Sequence, residues 1–216
     1  MKKNALLFLF FLLLGQFHLH GQEQYQVLLK AGTIIPEENV RNFAQQHQIQ
    51  AAESYGDYFY QLLQFSELPD IQAHQNIADQ GIQLLEYLPH LTYIAAIPVD
   101  LDLELLIDLK VRAVMPLSKA LKTDISLVGG DYGEWAVHRD KIGISLKFHK
   151  NLTERELETQ FAADGIEVVR SNGINNFVYA HIDPNQVDKI AGLPYVAYIA
   201  LESEPDTPDD VEGRCH

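Results

Sequence analysis

Cys215 and His216, the last two residues of the 216, set a thiol beside an imidazole. A cysteine nucleophile and its base would need that pairing. The segment around them is acidic and offers no third group to orient the imidazole. Neighbouring carboxylates also raise a thiol pKa rather than lower it, so the pair reads as accidental. The nine histidines include no HExxH. His18 and His20 are the one pair two residues apart, and His47, His74, His90, His138, His149 and His181 are scattered singly. A zinc centre needs three or four converging ligands, so no metal and no cofactor is expected. No GxSxG nucleophile turn and no Gly-rich phosphate loop is present, and Gly129–Gly130 reads as a linker. Asn151-Leu152-Thr153 fits the glycosylation triplet, but Thr153 has a competing role as a helix cap. No catalytic residue is assigned, and the chain is expected not to be an enzyme.

The balance of charges narrows the partners. Acids outnumber bases 30 to 16, for a net charge of −14. A nucleic-acid binder needs a basic footprint to neutralise phosphates, and an anionic membrane surface needs the same, so neither partner is expected. With 47% hydrophobic and 21% charged residues the chain can bury a core. Its single cysteine allows no internal disulfide. At the N-terminus Lys2 and Lys3 precede ten apolar residues, 5–14, and then Gly15. Ten residues of helix span about 15 Å, half of a bilayer core. The pattern is that of a secretory signal peptide over residues 1–21, cleaved near Gly21, which predicts a secreted or periplasmic protein with no membrane anchor after cleavage. Loss of Lys2 and Lys3 takes the net charge from −14 to −16.

The elements that must hold any site come as two copies of one unit. With the chain shifted on itself by 84 residues, residues 78–85 fall on 162–169 and residues 93–96 on 177–180. Leu109, Ala113 and Leu117 fall on Leu193, Ala197 and Leu201. Identities are only seven in forty, but apolar positions and turn residues recur together.

In the second copy, alternation around Ile144, Leu146 and Phe148 predicts a strand. Thr153 and Glu156 have capping-box spacing, Leu157, Phe161 and Ala162 have helical spacing, and Gly165 stops the helix. Residues 166–170 and 176–182 read as a hairpin. Asp183, Pro184 and Gln186 start a second helix carrying Val187 and Ile190, and residues 195–201 form a last strand. In the first copy the strand is 58–65, followed by a helix capped by Ser66 and stopped by Gly81. A hairpin of 82–87 and 91–98 comes next, then a helix capped by Asp100 and a strand over 111–117. Both copies give the order β-α-β-β-α-β, so the expected fold class is α+β, two tandem ferredoxin-like units. An extra strand at 25–30 and an extra helix near 37–48 precede them. The predicted organisation is a signal peptide 1–21, a first unit with its extension 22–117, a linker 118–141, a second unit 142–201 and an acidic tail 202–216.

The ferredoxin-like unit has a small enzyme relative, acylphosphatase, which holds phosphate with an arginine after its first strand. The corresponding loops here, from Phe65 and from Phe148, lack it. A broader likeness runs through residues 25–36, 81–89, 134–136, 193–196, 204–206 and 212–214. In that order they resemble the N-terminal region of secreted bacterial subtilisin-like proteases, similar to the fervidolysin prodomain. The resemblance implies a propeptide that templates folding of a protease domain and inhibits it, with the tail entering the substrate cleft. The expected partner is a subtilisin-like protease domain, in cis or in trans. The tail residues Glu202, Glu204, Asp206 and Arg214 are the candidate protease-binding residues. None of the protease's own Asp, His and Ser motifs is present, so the expectation is a prodomain region without its enzyme. The alternatives kept beside it are a secreted ferredoxin-like binding module and a free-standing protease inhibitor acting in trans.

Overall fold

The computed structural model describes residues 25–29, 32–49 and 53–205. The signal-peptide assignment, Asp206, Arg214 and the Cys215–His216 pair lie outside the described residues. Among the described residues no helix is long and apolar enough to cross a membrane.

The chain builds two antiparallel sheets of five strands each. The first unit runs β3 (Ser54–Tyr55), β4 (Tyr58–Phe65), α2 (Ile71–Asp79), β5 (Gln83–Leu88), β6 (Thr92–Pro98), α3 (Leu105–Asp108) and β7 (Val111–Pro116). It is preceded by β1 (Val27–Leu29), β2 (Gly32–Ile34) and α1 (Val40–Gln46). Then come α4 (Lys119–Lys122), β8 (Val137–His138), β9 (Lys141–Phe148), α5 (Glu154–Asp164), β10 (Glu167–Asn172), β11 (Phe177–Ile182), α6 (Val187–Ala191) and β12 (Val196–Leu201). The first sheet has the order β5-β6-β4-β7 and the second β10-β11-β9-β12. With β3 and β8 set aside, both are the strand order of a split βαβ, so the tandem ferredoxin-like α+β fold is what forms.

Local sequence places the second unit's helices. The Thr153 side chain accepts from the Glu156 N–H and the Glu156 side chain accepts from the Thr153 N–H, the full capping box. Gly165 ends α5 at φ 81°, a left-handed position where a Cβ would be strained. Asp183 accepts from the Asn185 N–H, with Pro184 in the first turn. Two caps of the first unit differ from expectation. Ser66 does not start α2; Asp70 does, accepting from the Ala73 N–H at 2.8 Å. Pro69 is the reason, because the residue before a proline is driven out of helical geometry. Likewise Asp102, not Asp100, accepts from the Glu104 N–H, and α3 is a single turn.

The repeat is real but not uniform. The β5–β6 ladder slips between Leu84 and Glu86, and the β10–β11 ladder slips between Val168 and Arg170, at the same 84-residue spacing. The turn between those strands, however, has three residues after Leu88 and four after Asn172. From that point an 84-residue shift is one residue short along the hairpin's second strand. Tyr60 opposes Ala96, whereas the matching Gly143 opposes His181, 85 residues on. A one-residue slip in a strand inverts which face each side chain takes. Tyr179 therefore corresponds to Ile94 and not to Ala95, a correction to the ungapped alignment. The last strands are also 85 apart, since Phe65 opposes Val111 and Phe148 opposes Val196.

Each sheet has its helices on one face. Phe59, Leu63, Ala95, Ile97, Val111 and Val114 bury against Val40, Ile77 and Leu106 in the first unit. Ile142, Ile144, Leu146, Phe148, Val178, Ala180 and Ile182 bury against Leu157, Phe161 and Ile190 in the second. The extensions close the sheet edges. The Asn39 side-chain amide donates to the Val114 carbonyl and accepts from the Val114 N–H, both at 2.8 Å, which satisfies the otherwise unpaired edge of β7. The linker does the same for β12: Asp124 N–H donates to the Ile199 carbonyl at 2.8 Å, and Leu201 N–H donates to Ser126 Oγ at 3.3 Å. The segment expected to pack only in part thus buries Lys122, Leu127 and Ala136.

Candidate functional site

The two units differ most on the sheet face away from the helices. In the first unit that face is occupied. Leu62 and Met115 pack on Val27 and Ile34 of the β1–β2 hairpin, with Ile94 against them. Gln64, fully buried, holds the N-terminal segment: its amide donates to the Tyr25 carbonyl at 2.9 Å and to the His90 carbonyl at 3.2 Å. Its Oε1 accepts from Arg112 at 2.8 Å. The Arg112 guanidinium lies 4.1 Å above the Tyr25 ring and also donates to the Pro36 carbonyl. The rest of this face, from Tyr60 to Ala96, sits on the end of the second unit. There Tyr60 stacks on His149, Tyr55 meets Tyr195 edge-on at 5.4 Å, and Glu86 pairs with Lys147 at 2.7 Å.

In the second unit no β-hairpin among the described residues packs on the corresponding face, whose side chains on β11 are half-exposed. Phe177, Tyr179 and His181 alternate with the buried Val178, Ala180 and Ile182 and stand in a row on β11. Phe177 and Tyr179 meet edge-on at 5.3 Å, and Arg170 lies over the Tyr179 ring at 4.0 Å. His181 stacks on His138 of β8 at 4.1 Å. A shallow depression of about 510 Å³ is lined by His138, Val169, Arg170, Tyr179, His181 and Glu202. The result is an aromatic and guanidinium surface with few aliphatic side chains. Such composition favours protein recognition.

Glu202, expected as a protease-binding residue of the tail, is held against the second unit. Its N–H donates to the Gly143 carbonyl at 3.0 Å, extending β12 by one bond. Its Oε1 lies 2.7 Å from His138 Nε2, and its carbonyl accepts from Trp135 Nε1 at 3.3 Å. Gly143 makes this possible, because a Cβ there would stand 2.3 Å from the Glu202 carboxyl carbon. Glu204 is exposed. The structure therefore brings Glu202 onto the open face with His138 and His181, residues that sequence reasoning treated as unconnected. The signal that could have found them is the pair Gly143 and His181 at matching strand positions with no large side chain between. Among the described residues no group of three or more His, Cys, Asp or Glu is placed to hold a metal ion. Thr153 is engaged as a cap, so the hydroxyl of the glycosylation triplet is already used.

Within the linker lies a buried cation. Lys122 is 4% exposed, and its Nζ donates to the Leu193 carbonyl at 2.9 Å. Burial pushes its pKa down to about 8. A lysine held down in the folded state costs stability wherever the unfolded chain binds the proton more readily, so stability should rise as pH passes from 8 towards 10.5. Lys122→Met keeps the aliphatic stem and removes the charge. It is expected to stabilise the protein by about 1–3 kcal/mol at pH 7 and to abolish that rise, measured by denaturant unfolding at pH 7 and pH 10. A destabilised variant would show that the bond to Leu193 outweighs burial of the charge.

The class that fold and site define is a tandem ferredoxin-like protein with one sheet face covered and one open. Residues 28–118 match the model of a family described as a domain of unknown function, DUF8729. That stretch runs from the β1–β2 hairpin through the last strand of the first unit. No curated protein and no solved structure matches the chain.

Proposed function

We propose that this chain is a secreted, non-catalytic, prodomain-like protein that binds a subtilisin-like protease domain, acting as a folding template and an inhibitor. The observation that carries the reading is the asymmetry of the two sheets. The second unit presents an open face of Phe177, Tyr179, Arg170 and His181, and its last strand runs directly into the acidic segment beginning at Glu202. A preformed sheet suits a partner whose own parallel sheet is slow to form, because loop-closure entropy is lost before non-local contacts reward it. In this reading the segment after β12 adds as a strand in the partner's cleft. Glu204 is exposed and available to meet a helix N-terminus of the partner, where the dipole favours a carboxylate. The first unit, whose outer face is covered, serves as support.

The test is inhibition of a panel of subtilisin-like protease domains by the purified chain. A nanomolar constant, about −12 kcal/mol, is expected for a cognate enzyme. Full protease activity at micromolar chain rejects the inhibitor. The pinning of Glu202 to His138 and Gly143 favours one other reading, a secreted binding module whose tail never enters a cleft. Cleavage of the segment after Leu201 by the bound protease separates the two, since a module of that kind gives a protease no cleft-bound strand to cut.

A further inference from the structure

The joint between the two units is built around an imidazole with no place for a second proton. His149 follows β9, is 2% exposed and lies flat on Tyr60 of β4, ring centroids 3.9 Å apart and planes 4° apart. Its Nε2 is buried with no hydrogen-bond partner among the described residues. The Pro194 carbonyl is a hydrogen-bond partner of the ring, and the backbone N–H of His149 donates to the Tyr195 carbonyl at 3.2 Å.

The charges that face the ring oppose a proton on it. Lys122 of α4, itself buried, and Lys147 of β9 are both cationic neighbours. Glu86 of β5 is engaged by Lys147 at 2.7 Å and by Lys150 at 3.8 Å. Tyr60 of β4 contributes a neutral phenol, its pKa pushed up to about 12 by burial. The loop before β12 contributes the Pro194 carbonyl, the one neighbour of the ring that draws its pKa up. Stacking on Tyr60 rewards the neutral ring; the Pro194 carbonyl alone favours the charged one, and burial with Lys122 and Lys147 outweighs it.

We propose that this contact is an acid-sensitive joint: protonation of His149 drives the loop after β9 off the outer face of the first sheet, while each unit keeps its own fold. The first unit's helix-face core is a separate cluster, and at the joint only its outer-face residues Tyr60 and Ala96 pack into the second unit's core.

The direction follows from linkage. Burial, with Lys122 and Lys147, holds the imidazole down at about 3 in the closed form against an ordinary 6.5. Between those values the open form binds the proton more readily. Closure is therefore fully favoured above 6.5 and weakens by about ten-fold for each pH unit below it, to about 100-fold near pH 4.5. This inference stands apart from the protease reading and does not depend on it.

The experiment follows the full chain from pH 7.5 to 4 by small-angle scattering and far-ultraviolet dichroism, with the His149 ring titrated by NMR. The expected result is an increase in radius below about pH 6 with unchanged secondary structure, and an acid limb of the His149 titration coupled to it. His149→Phe keeps the stacking without the proton and is expected to stay closed at least one pH unit lower; His149→Gln serves if that variant does not fold. An imidazole that titrates at its ordinary value without expansion overturns the proposal. So does expansion of the variant at the wild-type pH, or loss of secondary structure together with the expansion.

Discussion

Phe161→Ala is expected to lower the unfolding free energy by about 3–5 kcal/mol. Phe161 is 1% exposed at the middle of the second core, with ring centroids 6.3 Å from Phe148 and 5.7 Å from Tyr195. The cost has two parts: apolar area returned to water, and a cavity that the flanking rings refill only in part. Neither ring can move far. Phe148 closes β9, and the Tyr195 hydroxyl donates to Asp164 at 2.8 Å, an arrangement in which burial and the Asp164 carboxylate both raise the phenol's pKa. Set against the 5–15 kcal/mol that keeps an ordinary domain folded, the loss is a large share. A urea midpoint that falls with an unchanged slope is the measurement. A loss below about 1 kcal/mol would mean that α5 contributes little to the second unit's stability, contrary to the burial of Leu157 and Phe161.

Tyr179→Ala is expected to weaken inhibition of a cognate protease by about 30- to 1,000-fold, which is about 2–4 kcal/mol of binding. The same change should move stability by no more than about 1 kcal/mol, the range for one ring lost from an open face with its guanidinium contact. The split between the two numbers is the point of the test. A surface ring that matters only to binding leaves unfolding almost unmoved, whereas a ring that props up Arg170 and Phe177 for structural reasons shifts both. Ile94 is the matching position of the first unit, and it packs beside the β1–β2 hairpin. Ile94→Ala is expected to reverse the pattern, with stability lost and inhibition retained. Equal inhibition by wild type and Tyr179→Ala would remove the open face from the proposed mechanism.

The residues that could be read without a structure are those whose partners lie within a turn or two of chain. Thr153 with Glu156, Gly165 after α5, and Asp183 with Pro184 act on backbone groups two to four residues away, so spacing alone identifies them. The same holds for β4, whose expected bounds of 58–65 are those observed, and for the β-α-β-β-α-β order of both units. Local reasoning failed where a neighbour competed, as when Pro69 moved the start of α2 from Ser66 to Asp70. It also missed the two-residue strands β3 and β8, which are too short to show an alternation and exist only because β4 and β9 offer them an edge.

What decided the site was long-range. One extra residue in the turn after Asn172 sets Tyr179 and His181 on the outer face rather than in the core, because strand faces alternate with every residue. Glu202 reaches His138 across 64 positions of sequence, and His149 reaches Tyr60 across 89, through pairings that no spacing encodes. Whether a sheet face is covered or open depends on where the β1–β2 hairpin and the second unit come to rest. The sequence determined two ferredoxin-like units and an acidic end by local periodicity and capping. Only the tertiary structure decided which unit is left with a surface to offer, because that choice is made by packing between segments far apart in the chain.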